Sequence, residues 1–250
     1  MAGHSKFKNI QHRKGAQDKK RAKVFGRCAK EIIVATKEGG ADPEMNPRLR
    51  LAIQTAKANN LPNDNIARAI KTGSGDGAEA NNYELMRYEG YGPASVAFIV
   101  ETLTDNRNRT ASDVRSTFAK YGGNLGESNS VSFMFDHVGE IAYALDKVTA
   151  DQIFEAAVEA GAENVETTDE EHLVITSTND FAGVQQSLQE ALGEPLRAEF
   201  NFRPNVEKDL DEEAAEKVLK LIDMLEDLDD VQYVYTNFTI SDEIMEKLAG

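Results

Sequence analysis

The sequence contains one cysteine, no tryptophan and no long run of apolar residues. Because Cys28 is the only thiol, an internal disulfide is excluded, and a reducing compartment such as the cytoplasm is expected. No stretch approaches the roughly 20 apolar residues that a membrane helix needs, so we expect no membrane partner. The basic start of the chain is not followed by an apolar segment, so a secretory signal peptide is not expected either. The 250 residues are enough for one to three domains.

Motifs for catalysis and metal binding are also scarce. The sequence has four histidines: His4, His12, His137 and His172. They show neither HxxxH nor HExxH spacing, and one cysteine is too few for a zinc site. The stretch "GSGDG" (73–77) lacks the lysine of a phosphate-binding P-loop and follows no strand, so it is typical of a linker. We therefore expect no enzymatic activity, no metal, no cofactor and no small-molecule substrate.

The formal charge of −15 is distributed very unevenly along the chain. Residues 1–30 contain ten lysines and arginines and one acidic residue, Asp18, which gives this segment a charge of +9. The other 220 residues carry −24. Positive charge at one end of an acidic protein directs that end towards a polyanion and keeps the remainder away from it. The pattern predicts a nucleic-acid partner, either DNA or ribosomal RNA.

Two kinds of structure are predicted within the basic segment. Residues 1–17 lack hydrophobic periodicity and are predicted to form an irregular arm, whereas residues 18–38 have the period of a helix. On a helical wheel Phe25, Cys28 and Ile32 lie on one face, and basic residues lie on nearly the opposite face. The arm and this basic face are the predicted nucleic-acid contact. Its residues are His4, Lys6, Phe7, Lys8, His12, Arg13, Lys14, Lys19, Lys20, Lys23, Arg27 and Lys30.

The pattern of the whole chain predicts an α+β protein with several domains. Two further helices, beginning near Pro47 and Pro62, complete a helical N-terminal domain. Strands and helices alternate afterwards, with strands predicted at 130–135 and 231–240 among others. Residues 138–203 have the order βαββαβ of a ferredoxin-like domain, and the flanking segments are expected to form one α/β domain around it. The expected boundaries are 1–80 for arm, helical domain and linker, 81–136 with 204–250 for the discontinuous α/β domain, and 137–203 for the inserted domain.

The stretch "DNRNRT" (105–110) has two interpretations. It lies where a predicted strand passes into a helix predicted at 106–121. Asp105 is expected to cap that helix, and Arg107 and Arg109 project near its positive end, where a second anion could bind. Helix capping together with two surface arginines explains the same residues, so both interpretations stay open.

Five stretches resemble motifs of the YebC/PmpR family and occur in the same order. They are "AGHSKFKNIQHRKGAQDKKRAKVF", "NPRLRLAIQTAKANNLPNDNIARAI", "YEGYGP", "LTDNRNRT" and "KYGGNLG". The likeness spans essentially the whole chain. Phe7 stands where the family commonly has tryptophan, which keeps an aromatic ring but loses the indole hydrogen-bond donor. The resemblance implies a helical N-terminal domain followed by two α/β domains, one of them inserted.

The resemblance also implies a function, with one alternative. Members of the family are usually described as transcriptional regulators that bind DNA. Relatives that include a mitochondrial translational activator of cytochrome c oxidase are instead associated with the ribosome and with the synthesis of difficult, stalling peptide sequences. We therefore expect a DNA-binding regulator of transcription or, as the alternative, a ribosome-associated factor that contacts RNA through the basic arm and regulates translation.

The residues themselves favour RNA over DNA. Helices at 47–59 and 62–72 resemble a helix-turn-helix only faintly, because the second offers only Arg68 and Lys71 as basic residues. The ring of Phe7 in a basic arm suits stacking on the exposed bases of irregular RNA. A different class of function is also open, in which the acidic α/β domains bind a basic protein.

Overall fold

The computed structural model describes residues 17–76 and 83–249, and the chain divides into two compact units. Of the described residues, the first unit contains 17–23, 83–136 and 203–249, and the second contains 24–76 and 137–202. The predicted class is confirmed: the chain is a multidomain α+β protein in which a helical N-terminal region precedes two sheet-rich regions. No helix in the described ranges is both long and apolar enough to cross a membrane.

The described residues form eight α-helices and ten strands. The helices are α1 (Gln17–Gly39), α2 (Pro47–Ala58), α3 (Asn63–Lys71), α4 (Arg107–Lys120), α5 (Ala150–Ala160), α6 (Phe181–Leu192), α7 (Glu212–Glu226) and α8 (Asp242–Ala249). The strands are β1 (Glu84–Tyr91), β2 (Ala97–Thr104), β3 (Asn124–Leu125), β4 (Phe135–Ala144), β5 (Asn164–Thr167), β6 (Glu171–Ser177), β7 (Arg197–Pro204), β8 (Lys208–Asp209), β9 (Val231–Thr236) and β10 (Phe238–Thr239).

Helices α1, α2 and α3 share a small apolar core in the second unit. Ile32, Leu49 and Ile66, one from each helix, are buried in it. Asn46 fixes the start of α2, because its side-chain oxygen accepts the N–H of Leu49 at 3.0 Å. The amide of Asn46 also donates to the carbonyl of Ala35 at 2.7 Å, which joins α2 to α1 through one buried side chain.

The ferredoxin-like part of the second unit is a four-stranded sheet in the order β5-β6-β4-β7. Helices α5 and α6 pack on one face of it, where Tyr143 and Val174 from the sheet contact Ile153 and Leu188 from the helices. The order of elements, βαββαβ, is the one that the sequence predicts. Leu51 of α2 also packs against this core, so the helical region and the ferredoxin-like sheet belong to one unit.

The first unit is built on an antiparallel sheet in the order β3-β1-β2-β9, covered on one face by α4 and α7. Its core contains Phe98 and Phe118, whose rings meet edge to face. The strand predicted at 231–240 is interrupted at the buried residue Asn237. The side-chain oxygen of Asn237 accepts the N–H of Ala97 at 2.8 Å, and its amide donates to the carbonyl of Val206 at 2.9 Å. These bonds hold three separate segments together and leave β10 as a short strand paired with β8.

The strand predicted at 130–135 is wrong. A single 3-10 turn occupies Ser132–Met134, and β4 begins only at Phe135. The cause is the buried carboxylate of Glu89, which accepts the N–H groups of Val131 and Ser132, both at 2.9 Å. Because these donors are occupied by a side chain, they are withdrawn from any strand ladder.

The predicted linker at 73–82 begins later than expected. Residues Thr72–Asp76 form one further helical turn of π type after α3, and Gly75 has a φ of +87°. A left-handed φ of this kind is readily adopted only by glycine, so Gly75 is suited to end the helix. Residues 77–82 lie outside the described part of the chain.

Candidate nucleic-acid interface

Helix α1 is held to the helical core along one face. Cys28, Ile32 and Ala35 on that face are buried. Burial raises the pKa of the Cys28 thiol, and the nearby Arg27 lowers it by a smaller amount. Cys28 is therefore a packed, weakly acidic thiol rather than an activated nucleophile. Because this face is fixed by packing, the direction of the remaining side chains of α1 is fixed as well.

The basic residues of α1 lie away from the most buried positions. Arg21 is exposed, and Lys23, Arg27 and Lys30 are half-buried. Spacings of four and three residues place the last three on one side of the helix. Lys19 and Lys20 belong to its first turn. The geometry therefore brings several cations along one helix, an arrangement that can meet successive phosphates of a nucleic-acid backbone.

Lys23 also makes a contact that the sequence did not indicate. Its ammonium donates to the carbonyl oxygen of Asp227 at 2.6 Å and to its carboxylate at 2.5 Å. Asp227 is the C-cap of α7, where the helix dipole adds negative potential. Both residues belong to the first unit. A phosphate that binds Lys23 would have to compete with this carboxylate.

Seven of the predicted contact residues lie outside the described part of the chain. They are His4, Lys6, Phe7, Lys8, His12, Arg13 and Lys14. Their role in the interface stays a prediction. Among the residues that the structure describes, no group of three or more His, Cys, Asp or Glu side chains is arranged to hold a metal ion.

The two arginines of the predicted second anion site are bonded to carboxylates. Arg107 pairs with Glu84, whereas Arg109 donates to Asp105 at 3.0 Å and to Asp230 at 2.7 Å. An anion at this helix start would have to displace these partners. The anion site stays a prediction.

The expected cap of α4 is wrong, because the N-cap is Asn106 rather than Asp105. The side-chain oxygen of Asn106 accepts the N–H of Arg109 at 3.1 Å. Asp105 instead forms an ion pair with the side chain of Arg109, one turn along the chain. A choice between two adjacent capping residues depends on local backbone geometry that composition does not specify.

Asp230 is the structural centre of the same region. It is 7% exposed, and its carboxylate accepts hydrogen bonds from the hydroxyls of Thr110 at 2.8 Å and Thr104 at 3.2 Å. Arg109 supplies the compensating charge. The stretch "LTDNRNRT" therefore supplies hydrogen-bond donors to the buried carboxylate of Asp230, which lies 120 residues beyond Thr110 in the sequence.

Comparison with known proteins assigns the family. The model described as the TACO1/YebC protein N-terminal domain matches residues 5–76, and the model described as the TACO1/YebC second and third domain matches residues 83–238. The chain belongs to the TACO1/YebC family. The name of the second model denotes transcription regulation, so the family is described as regulatory rather than enzymatic.

A solved structure agrees with this assignment to the TACO1/YebC family. The chain is similar to the conserved hypothetical protein Aq1575 from Aquifex aeolicus, with 44% sequence identity and a TM-score of 0.81. The match covers 91% of this chain and 93% of that chain. The resemblance inferred from the five sequence motifs is thus confirmed over most of the chain.

One family motif has a packing explanation in this TACO1/YebC chain. In "YEGYGP", a Cβ atom at Gly90 would lie 2.6 Å from the carbonyl oxygen of Asn124, and one at Gly92 would overlap with the ring of Phe98. Only glycine permits these close approaches. Glu89, between Tyr88 and Gly90, is the carboxylate that holds Val131 and Ser132. The motif therefore allows the backbone to pass close to Asn124 and Phe98, and it holds the loop at Val131 and Ser132.

The predicted site omitted several exposed cations. Arg21 has the same angular position as the apolar face, but it is exposed because the packed residues of that face begin at Val24. Arg21 lies three residues before Val24, where the packed face begins, and this position could have indicated from the sequence that Arg21 is exposed. Arg50 and Lys57 on α2 are exposed as well. Their spacing of seven residues, two helical turns, places them on the same side of that helix.

Proposed function

We propose that this chain is a non-enzymatic, nucleic-acid-binding regulator of gene expression that acts in the cytoplasm. Its contact surface is the segment from His4 to Lys30, comprising the N-terminal residues and the basic side of α1. The observation that carries the proposal is the placement of cations on α1. Lys23 and Arg27 lie on the side of the helix away from the buried Ile32. Arg21 lies on the same side as Ile32, but it is exposed because it precedes the first packed residue, Val24.

Electrostatics supports this assignment. Lysine and arginine side chains displace counterions from phosphates, which gives affinity that does not depend on sequence and that falls steeply with salt. The charge of +9 in residues 1–30 supplies that attraction, and the charge of −24 on the remainder opposes contact elsewhere. The protein is therefore expected to approach a polyanion by its N-terminal end.

The nature of the nucleic acid has two candidates. The family name favours DNA and regulation of transcription. The residues of helix α3 instead favour single-stranded or irregular RNA, as found in the ribosome. In a helix-turn-helix protein α3 would be the helix that enters the major groove of DNA, and its residues suit that role poorly. Its exposed first residues are Asn63 and the acidic Asp64, and its cations Arg68 and Lys71 come late. An acidic residue at the end that should enter the major groove opposes DNA reading.

Binding by matched variants tests the contact surface. The test variant carries Lys19→Gln, Arg21→Gln and Arg27→Gln, and it leaves Lys23 bonded to Asp227. The control variant removes three cations elsewhere, Lys147→Gln, Lys217→Gln and Lys247→Gln, so that the net charge of the two variants is equal. Fluorescence anisotropy with a labelled 20-nucleotide RNA and a 20-base-pair DNA should show a loss of tenfold or more for the test variant only. An equal loss in both variants would show that total charge, not the α1 surface, controls binding.

A second measurement separates the two candidate targets. If RNA of the ribosome is the target, the full chain should sediment with ribosomes at physiological salt, and Arg68→Gln with Lys71→Gln should not change this. If promoter DNA is the target, these two substitutions should weaken binding to a promoter fragment, because they lie on the reading helix. Sedimentation without promoter binding would exclude transcriptional control by direct contact.

A further inference from the structure

Helix α5 presents two large apolar side chains to solvent. Phe154 is 60% exposed and Val158 is 62% exposed, and their spacing of four residues places them side by side. The inner face of the same helix is formed by Ile153 and Ala157, which are buried in the ferredoxin-like core. Phe154 and Val158 are therefore not part of the ferredoxin-like core, and that core would stay packed if their side chains were removed.

Helix α6 gives an internal comparison, because it covers the same face of the same sheet. Its buried positions are also apolar, as in Val184 and Leu188. Its exposed positions, in contrast, are small or polar: Ala182, Gly183, Gln186, Ser187, Glu190 and Ala191. Packing on this sheet thus does not require large apolar residues on the outer side of a helix. The pair on α5 is therefore not required by packing, and adjacent exposed apolar residues rimmed by polar ones are a feature of interaction sites.

The α5 surface is preformed. Thr149 and Gln152 make a reciprocal capping box at the start of the helix. Gly161 ends it with a left-handed φ of +80°. A rigid helix loses little conformational entropy when it binds, which favours association.

The surroundings of the apolar pair are strongly acidic. Asp151, Glu155 and Glu159 on α5 are exposed beside Phe154 and Val158. Residues 137–202 contain fourteen acidic residues and two basic ones. Of the two, Lys147 precedes α5, and Arg197 is engaged by Glu171 and Glu199 at 2.6 and 3.1 Å. This charge repels the phosphates of a nucleic acid and attracts cationic side chains.

We propose that Phe154 and Val158 form a docking site for a basic, amphipathic helix of a partner protein. Apolar side chains of the partner would pack on the pair, and its lysines or arginines would contact Asp151, Glu155 and Glu159. The apolar contact supplies most of the affinity, and the charges determine which partners can approach. This surface is on a different helix from the cations of α1, and its charge has the opposite sign, so the inference goes beyond nucleic-acid binding.

The test uses the full chain and two synthetic peptides of 16 residues. One has leucines at helical spacing among lysines, and the other has serine in place of every leucine. In titration calorimetry the leucine peptide should bind at least tenfold more tightly than the serine peptide. Phe154→Ser with Val158→Ser should remove that preference without lowering the melting temperature, because both side chains are exposed.

A charge-matched pair of variants tests the acidic rim. Glu155→Gln with Glu159→Gln should weaken leucine-peptide binding by about fivefold or more, beyond the effect of Glu163→Gln with Glu190→Gln. A leucine preference that survives Phe154→Ser with Val158→Ser overturns the proposal. So does a concentration-dependent dimer that this variant abolishes, since the pair would then join two copies of the chain. Weaker RNA binding by the same variant would also overturn it, because the surface would then contact nucleic acid.

Discussion

The ammonium of Lys23 lies 2.5 Å from a carboxylate oxygen of Asp227, although 204 residues separate them in sequence. The two side chains are 35% and 65% exposed, so the pair is an accessible one. Accessible pairs contribute little to stability, about 0–1 kcal/mol. We expect the contact to affect nucleic-acid binding instead, because the carboxylate of Asp227 forms an ion pair with Lys23, one of the cations of the proposed nucleic-acid surface.

Asp227→Asn should therefore strengthen RNA binding by about two- to fivefold at low salt, a change that corresponds to less than about 1 kcal/mol. The reason is that the ion pair between Lys23 and the carboxylate of Asp227 no longer has to break before Lys23 binds a phosphate. Glu216→Gln is the matched control, since Glu216 is an exposed acidic residue of α7 and its substitution changes the net charge equally. Anisotropy titrations of both variants check the prediction, and equal affinities for the two would refute a specific role for the pair.

Asp230→Asn should destabilise the first unit by about 2–4 kcal/mol. The substitution removes the charge that compensates Arg109 and disturbs the bonds from Thr104 and Thr110. The measurement is urea denaturation followed by circular dichroism. Asp113→Asn, at an exposed position of α4, serves as the control and should cost less than about 0.5 kcal/mol. Similar midpoints for both variants would contradict the structural role assigned to Asp230.

Tyr143 predicts a decline in stability at high pH. Burial raises the pKa of Tyr143 from 10.0 to about 12, with a smaller contribution from Glu194, and its hydroxyl donates to the carbonyl of Gly193 at 3.1 Å. The folded chain holds the proton more tightly than the unfolded chain. The contribution of Tyr143 is therefore complete below pH 10 and is lost as pH rises from 10 to about 12.

Tyr143→Phe isolates this effect from other groups that titrate in the same range. The variant should be less stable than the natural chain by about 1 kcal/mol at pH 8, because it lacks the hydrogen bond to Gly193. The difference should shrink or reverse by pH 11. Urea denaturation at intervals of half a pH unit gives the comparison. Parallel stability curves for the two proteins would contradict the raised pKa.

Cys28 should react slowly with thiol reagents in the folded chain. Its side chain is buried in the helical core, and burial raises its pKa, so little thiolate is present and little is accessible. With Ellman's reagent at pH 8, the folded chain should react at least about tenfold more slowly than the chain in urea. Equal rates would show that the α1–α3 core opens readily.

Periodicity predicted most of the helices and strands, because burial of a continuous face leaves a regular pattern. Helices α1 and α2 follow from the spacing of residues such as Ile32 and Leu49, and both are buried as expected. The two errors in strand prediction, at 130–135 and 231–240, have a different cause. Glu89 reaches Val131 over 42 residues, and Asn237 reaches Ala97 over 140, so these side chains change local structure through partners that no short window contains.

The candidate interface could be predicted only in part for the same reason. Charge concentration in residues 1–30 is visible in the sequence, and it indicated the cations of α1. The contact of Lys23 with Asp227 is not visible, since nothing near either residue marks the other. The exposure of Phe154 also depends on which side of α5 meets the sheet, and an apolar residue gives no sign of facing solvent.

The salt dependence of RNA binding is the most direct test of the central claim, that α1 and the residues before it contact phosphates. The affinity of the natural chain for a labelled 20-nucleotide RNA is measured between 50 and 300 mM potassium chloride, and then that of the variant with Lys19→Gln, Arg21→Gln and Arg27→Gln. The plot of log affinity against log salt should have a negative slope for the natural chain. Its magnitude should fall by about 0.7 for each phosphate that the variant no longer neutralises. Identical slopes for the two proteins would contradict the claim.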